Sequence, residues 1–105
     1  MKWLIIGKHQ NKSAVKKIEN RLGVKERSEG VDFVVGGKAF EFAETESDIK
    51  SSIEQLNRSR VAGAKKLIVP QKLSNYARES IKGTGLGIEN ISGTIIKKSR
   101  RKSKN

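Results

Sequence analysis

The chain has 105 residues, no cysteine and one histidine, so it is long enough for one domain and excludes a disulfide framework, a thiolate metal site and a histidine-rich metal site. The net charge of +12 and the pI near 10.2 predict an anionic partner, most often nucleic acid. No apolar run approaches the roughly 20 residues of a membrane span, and residues 1–6 are too short for a signal peptide, so we expect a cytoplasmic protein that does not bind membranes.

The first part of the chain predicts a strand and a helix. Residues 2–6 form a short apolar run, which indicates a strand. Asn11 or Ser13 can cap a helix that ends near Leu22, and Gly23 is suited to terminate it. The single histidine, His9, falls in the polar loop before this helix, where we expect it to be solvated.

The remainder of the chain predicts an α/β domain. A hairpin over residues 31–45 precedes a second helix, which begins after Thr45 or Ser47 and ends at Gly63. Residues 65–70, KKLIVP, indicate a strand that is buried on both faces. The later elements are a third helix over residues 72–82 with Leu73, Tyr76, Ala77 and Ile81 inward, and a strand or strand pair over residues 88–96. This order predicts a mixed central sheet with helices on its faces.

The hairpin, VDFVVGGKAFEFAET, carries an acid in each of its strands. Gly36 and Gly37 predict a two-residue turn because both central positions need a positive φ. The turn sets a register in which Asp32 lies opposite Glu41, and opposed side chains on one face have Cβ atoms about 5 Å apart. The other face carries an apolar set that suits a core: Val31, Phe33, Phe40 and Phe42.

Opposed like charges destabilise a sheet, so we expect something to offset the repulsion between Asp32 and Glu41. A metal ion, a cationic side chain or protonation of one acid would do so. The alternative is a pair of carboxylates on an exposed face that water solvates.

A basic tail over residues 97–105, KKSRRKSKN, follows a single domain over residues 1–96, and we expect the tail to be disordered. It supplies six of the twelve net charges. The few aromatic residues are mostly needed by the core, which favours phosphate contacts over base stacking. The residues predicted to bind nucleic acid are Lys97, Lys98, Arg100, Arg101 and Lys102. A solubilising tail is the alternative.

The order of elements around Asp32 and Glu41 resembles the PD-(D/E)XK nuclease superfamily, and within it the archaeal Holliday-junction-resolvase-like branch. The resemblance covers about residues 13–70 and rests on a helix, a hairpin with an acid in each strand, a second helix and an apolar strand. It implies a restriction-endonuclease-like fold, Mg²⁺ or Mn²⁺ held by the two acids, and hydrolysis of DNA phosphodiester bonds. It also implies that two chains pair on one substrate.

Three further positions are assigned by the same resemblance. Glu19 matches an acid that some members carry on the first helix, where it would be a further metal ligand. Residues 28–32, SEGVD, look like the serine-glycine approach to the first acid in resolvases. Gln55 looks like the helical glutamine of several nuclease branches.

The resemblance fails at the motif lysine, whose position here holds Ala43. In the superfamily that lysine orients the attacking water and neutralises charge on the phosphate. Lys38 is predicted to lie on the opposite face of the hairpin and cannot replace it. Lys50, at the start of the second helix, is the nearest candidate by sequence; a solvated surface lysine is its alternative reading.

Three functions follow from these features. The first is a metal-dependent endonuclease that acts on DNA. The second is a catalytically degenerate protein of nuclease-like fold that binds nucleic acid without cleaving it, which the missing lysine favours. The third is a small RNA-binding α/β protein in which the hairpin acids are merely exposed.

Overall fold

A computed structural model describes residues 9–100 of the chain. The elements in chain order are α1 (Lys12–Leu22), β1 (Phe33–Val35), β2 (Lys38–Phe42), α2 (Glu46–Arg58), β3 (Lys65–Val69), a 3₁₀ turn (Gln71–Leu73), α3 (Ser74–Ser80), β4 (Gly87–Asn90) and β5 (Ile95–Lys97). The strand predicted over residues 2–6 lies outside the described residues. The described elements form an α/β fold, as predicted.

Within the described residues the five strands form one mixed sheet in the order β1-β2-β3-β4-β5. The central strand β3 is parallel to β2 and to β4, whereas β1 and β5 run antiparallel to their neighbours at the two edges. Leu67, Ile68 and Val69 of β3 are fully buried, which confirms a strand covered on both faces. The predicted strand pair near the C-terminus corresponds to β4 and β5.

The hairpin has the predicted register. Phe33 pairs with Phe40 and Val35 with Lys38. Gly36 and Gly37 take positive φ angles of 60° and 77°, which match the requirement of a tight two-residue turn. The first strand is shorter than predicted, because the loop before it closes through a hydrogen bond of 2.7 Å from the Arg27 N–H to the Asp32 carbonyl.

Helix α1 covers one face of the sheet. The Asn11 side chain accepts the Ala14 N–H at 3.0 Å and begins the helix, while Gly23 ends it in the left-handed conformation. Ile18 is fully buried against the sheet. The cluster on this face contains Ala14, Ile18, Phe33, Phe40, Phe42 and Ile68.

An ion-pair network also fastens α1 to β4. The buried Glu89 carboxylate of β4 lies 3.0 Å from the Arg21 guanidinium and 3.0 Å from the Lys66 ammonium. Buried charges need partners of this kind because desolvation is costly. Arg21 and Lys66 therefore neutralise a buried carboxylate within the fold.

Helices α2 and α3 cover the other face. The Thr45 hydroxyl accepts the Asp48 N–H, and the Asp48 side chain accepts the Thr45 N–H, so α2 begins with a capping box. The cluster beneath contains Val31, Ala39, Ala43, Ile49, Leu56, Leu67, Val69, Leu73, Ala77, Ile81, Leu86 and Ile88. The placement of Val31 with the hairpin phenylalanines was wrong, because Val31 precedes the regular strand and its side chain packs on the α2 side.

Two predicted helix boundaries change. Helix α2 ends at Arg58 rather than at Gly63. Helix α3 begins after a 3₁₀ turn, and its inward residues include Ala77 and Ile81. Tyr76 was predicted to be inward but is 45% exposed, because it lies about 100° around the helix from Ala77.

Contacts with the sheet continue past residue 96 within the described residues. Lys97 is the last residue of β5, and the Arg100 N–H donates to the Gly85 carbonyl at 2.8 Å. Backbone contacts thus join Lys97 to β4 and Arg100 to Gly85, which lies just before β4. Among the described residues, no helix is long and apolar enough to cross a membrane.

Candidate metal centre

Asp32 and Glu41 lie side by side and each binds the backbone of the other strand. The Asp32 N–H donates to the Glu41 carboxylate at 2.9 Å, and the Phe42 N–H donates to the Asp32 carboxylate at 2.9 Å. Asp32 is 2% exposed and Glu41 is 7% exposed. The two acids are neighbours on one face, as predicted. The alternative, in which water solvates the pair on an open face, is wrong because α2 covers this face.

The two acids line a cavity of about 220 Å³ that opens between the hairpin and α2, which we call the acid cavity. Its lining residues are His9, Gly30, Asp32, Glu41, Phe42, Asp48, Ser51, Ser52 and Gln55. Three of these are carboxylic acids, and among the described lining residues there is no lysine or arginine. An acid-lined cavity in a chain of net charge +12 is a place where cations are attracted.

His9 forms part of the wall of the acid cavity, and its predicted solvation was wrong. Its side chain is 8% exposed. The Nδ1 atom lies 2.5 Å from the Glu26 carboxylate, and the Nε2 atom lies 2.6 Å from the Phe42 carbonyl and 3.4 Å from Asp32 Oδ2. The ring also packs against Phe42 with centroids 4.8 Å apart.

The loop that carries His9 is held to the end of the hairpin by Glu44. The Gln10 and Asn11 N–H groups donate to the Glu44 carboxylate at 3.1 and 2.7 Å. Because Glu44 follows β2 by two residues, these bonds place the start of α1 beside the acids.

The surroundings of His9 favour its protonated form. Burial is the largest single influence and lowers the pKa of His9, but the Asp32 charge, the Phe42 carbonyl and the Glu26 carboxylate together outweigh it. The net result is a pKa raised above the ordinary value of 6.5. A cationic side chain beside the acids was one of the three ways expected to offset their repulsion.

Glu26 connects His9 to Glu19. The Glu26 N–H donates to the Glu19 carboxylate at 2.9 Å, while the Glu26 carboxylate contacts His9. Glu19 lines a second groove of about 500 Å³ along α1, together with His9 and Glu26, and it is not among the residues that line the acid cavity. Its predicted role as a metal ligand beside Asp32 and Glu41 gains no support from this placement.

A metal ion suits the donor atoms in this region. One ligand atom each from His9, Glu26 and Asp32 lies within 4.8 Å of the others. Carboxylate oxygens suit Mg²⁺ and Mn²⁺, and an imidazole nitrogen suits transition metals such as Mn²⁺ or Zn²⁺. The sequence pointed to Asp32 but missed His9 and Glu26, because their contacts join positions 17 and 33 residues apart in the chain.

The two residues of α2 that were predicted to be catalytic, Gln55 and Lys50, have different surroundings. Gln55 lines the acid cavity, as expected for a residue that contacts substrate or water. Lys50 is exposed and is not one of the lining residues. Asp48 also lines the cavity, while its Oδ2 accepts the Glu44 and Thr45 N–H groups.

Ala43, at the position that the resemblance assigns to the motif lysine, is closed to solvent. Ala43 is fully buried, and its N–H donates to the Ile68 carbonyl at 2.9 Å. Lys38 is exposed and alternates with Ala39, so it lies on the opposite face from Glu41, as predicted.

The described part of the predicted nucleic-acid-binding segment lies at the edge of the sheet opposite to the hairpin. Lys97 ends the edge strand β5, while Lys98 and Arg100 are exposed. Arg101 and Lys102 lie outside the described residues. Since β2 and β5 are separated by three strand spacings of about 4.8 Å, the basic strand end lies about 14 Å from the strand of Glu41.

Comparison of the chain with protein-family models, with curated protein sequences and with solved structures finds no significant match.

Proposed function

We propose that this chain is a nucleic-acid-binding protein of restriction-endonuclease-like fold, and that its acid cavity holds a divalent cation used to hydrolyse DNA phosphodiester bonds. The observation that carries this proposal is the pair of buried carboxylates, Asp32 and Glu41, which line one cavity together with Gln55. The five-stranded mixed sheet with helices on both faces is compatible with that fold. The net charge supports a polyanionic substrate.

Asp32 and Glu41 would hold Mg²⁺ or Mn²⁺. When bound, such an ion supplies Lewis-acid polarisation of a phosphoryl oxygen and an activated water. The reciprocal backbone bonds fix the orientation of both carboxylates before any ligand arrives, which is the preorganisation that a charged reaction centre needs. Gln55 contributes an amide that can donate to a phosphate oxygen or orient water at the wall of the cavity.

A second candidate is a protein that binds nucleic acid and does not cleave it. The specific observation in its favour is Ala43, which is fully buried at the position of the motif lysine. Among the described residues that line the acid cavity, His9 is the one side chain that can carry positive charge. This candidate predicts binding that does not depend on metal.

The basic end of β5 supports a substrate that covers more than the cavity. A duplex that contacts Lys98 and Arg100 and also reaches Glu41 would cross about 14 Å of sheet, less than the span of one turn of B-form DNA of about 34 Å. The pairing of two chains, which the resemblance implies, remains a prediction.

The first experiment is calorimetric titration of Mg²⁺ and Mn²⁺ into the wild type and into the double variant Asp32→Asn/Glu41→Gln. These amides keep an oxygen for the backbone N–H groups while they remove the charges. The matched control, Glu54→Gln/Glu79→Gln, removes two charges at exposed positions. We expect the control to bind as the wild type does and the cavity variant to lose the ion.

The second experiment incubates the same proteins with a labelled DNA duplex, a four-way DNA junction and an RNA duplex of the same sequence. Hydrolysis of a DNA substrate that needs both the metal and the two acids is the expected result. DNA binding without hydrolysis, with an affinity that falls steeply with salt and ignores chelator, would establish the second candidate instead. Metal-independent preference for RNA would contradict both and favour a small RNA-binding protein.

A further inference from the structure

His9 is the feature of the acid cavity that the proposed function leaves unexplained. It is the only histidine in the sequence, and it is buried between two acids in a chain otherwise rich in exposed charge. Its ring nitrogens have separate surroundings. Nδ1 faces Glu26, which is outside the acid cavity, whereas Nε2 is on the side of Asp32 and Phe42, which line it.

We propose that His9 Nε2 is a ligand of the ion held by Asp32 and Glu41, that Glu26 positions the ring, and that the site therefore selects Mn²⁺ or a related transition ion over Mg²⁺. This proposal rests on the proposed function, since it concerns the same cavity. Nothing in the resemblance to nucleases assigns His9 or Glu26.

The distance between the two ligand atoms fits a shared ion. His9 Nε2 lies 3.4 Å from Asp32 Oδ2. Two ligand atoms bonded at about 2.1 Å to one ion lie about 3.0 to 3.4 Å apart for octahedral or tetrahedral angles. The separation of the pair thus fits one ion, and binding requires Nε2 to turn from the Phe42 carbonyl towards that ion.

Glu26 occupies the place of an outer partner. A histidine that binds a metal usually donates its other ring N–H to a carboxylate, which fixes the tautomer and the ring orientation. The Nδ1 atom of His9 is 2.5 Å from the Glu26 carboxylate, and Glu19 holds the Glu26 backbone at 2.9 Å. With the Nδ1 proton held by Glu26, Nε2 is the nitrogen that can bind an ion once it gives up its proton and its bond to the Phe42 carbonyl.

The nitrogen ligand is what sets the choice of ion. Mg²⁺ prefers oxygen ligands and keeps its waters, while imidazole favours ions later in the first transition series. An ion held by the Asp32 and Glu41 carboxylates alone would be selected only weakly between Mg²⁺ and Mn²⁺. Addition of His9 Nε2 raises the affinity for Mn²⁺ more than the affinity for Mg²⁺.

The alternative is that His9 is a structural clamp, doubly protonated between Glu26 and the Phe42 carbonyl, with no contact to any ion. Nitrogen NMR of the wild type distinguishes the two roles without a substitution. Because the chain has one histidine, protein labelled with ¹⁵N-histidine gives unambiguous ring signals. Zn²⁺ is the probe, since it is diamagnetic and accepts both nitrogen and oxygen ligands.

We expect Zn²⁺ to shift the Nε2 signal and remove its proton coupling, while Nδ1 keeps its proton. Ring signals that stay unchanged while calorimetry shows Zn²⁺ bound would overturn the role of His9 and leave the Asp32–Glu41 site intact. Absence of Zn²⁺, Mn²⁺ and Mg²⁺ binding in the wild type would overturn this inference together with the metal-dependent part of the proposed function.

Substitution then tests the selectivity. In His9→Gln we expect the affinity for Mn²⁺ to fall by about 10- to 100-fold and the affinity for Mg²⁺ to change by less than about threefold. Glu26→Gln, which keeps a hydrogen-bonding side chain beside Nδ1, should give a smaller fall in the same direction. An unchanged ratio of Mn²⁺ to Mg²⁺ affinity in His9→Gln, with a native circular dichroism spectrum, would refute the proposal.

Discussion

Replacement of Asp32 should separate its structural role from its charge. The Asp32 carboxylate accepts the N–H of Phe42, a residue that is 1% exposed. Asp32→Ala leaves that donor without this acceptor, which costs about 1–3 kcal/mol of unfolding free energy. For a domain of this size the melting temperature should fall by about 5–20 °C.

Asp32→Asn is the matched variant, because its amide oxygen can still accept the Phe42 N–H. We expect it to lose less than about 1 kcal/mol relative to the wild type, and to lose the divalent ion as completely as Asp32→Ala does. Both variants are compared by urea unfolding and thermal melting in chelator. Equal destabilisation of the two variants would refute the reasoning, because the backbone bond would then not explain the cost.

Three further predictions follow from the contacts of single residues. Because the folded pKa of His9 is raised, its stabilisation is fully present below its unfolded pKa of about 6.5 and is lost as the pH rises through the folded pKa. The difference in unfolding free energy between wild type and His9→Gln in chelator should therefore shrink as the pH rises above about 6.5, and a difference that grows would contradict this. Gly63→Ala places a Cβ 2.6 Å from the Gly37 carbonyl oxygen and should cost about 1–3 kcal/mol by urea unfolding, whereas an unchanged midpoint would show that the hairpin turn can move. Thr45→Ala removes the acceptor of the capping box with Asp48 and should lower stability by about 1 kcal/mol, with Thr45→Ser as the control that retains it.

Local patterns in the sequence were sufficient for most elements. The glycine pair at 36–37 fixed the hairpin register, since two positive φ angles allow few other turns. Helix α1 begins after Asn11 and ends at Gly23, as predicted, because capping interactions act within one turn of the helix. The neighbourhood of Asp32 and Glu41 follows from the register alone, so half of the candidate site could be found without any structure.

The other half depends on contacts that no local pattern encodes. His9 meets Glu26 across 17 residues and Phe42 across 33, and a lone histidine in a polar loop gives no sign of either. The burial of the acids was missed for a related reason, since it depends on how α2 lies across the sheet. Tyr76 illustrates a smaller error, because it follows the helical spacing of the inward residues but lies about 100° around α3 from the buried Ala77 and is exposed.

The strand order has a consequence for how the cavity is assembled. Each described strand pairs with its neighbours in the sequence, and every described residue that lines the acid cavity apart from His9 comes from one continuous stretch, residues 30–55. Contacts of short sequence separation form first, and a hairpin closes in about 1–10 μs. We therefore expect the two acids to meet early, while the helix that follows His9 is still undocked. The His9 imidazole reaches Asp32 only when α1 docks, so we expect completion of the cavity and docking of α1 to be one step in folding.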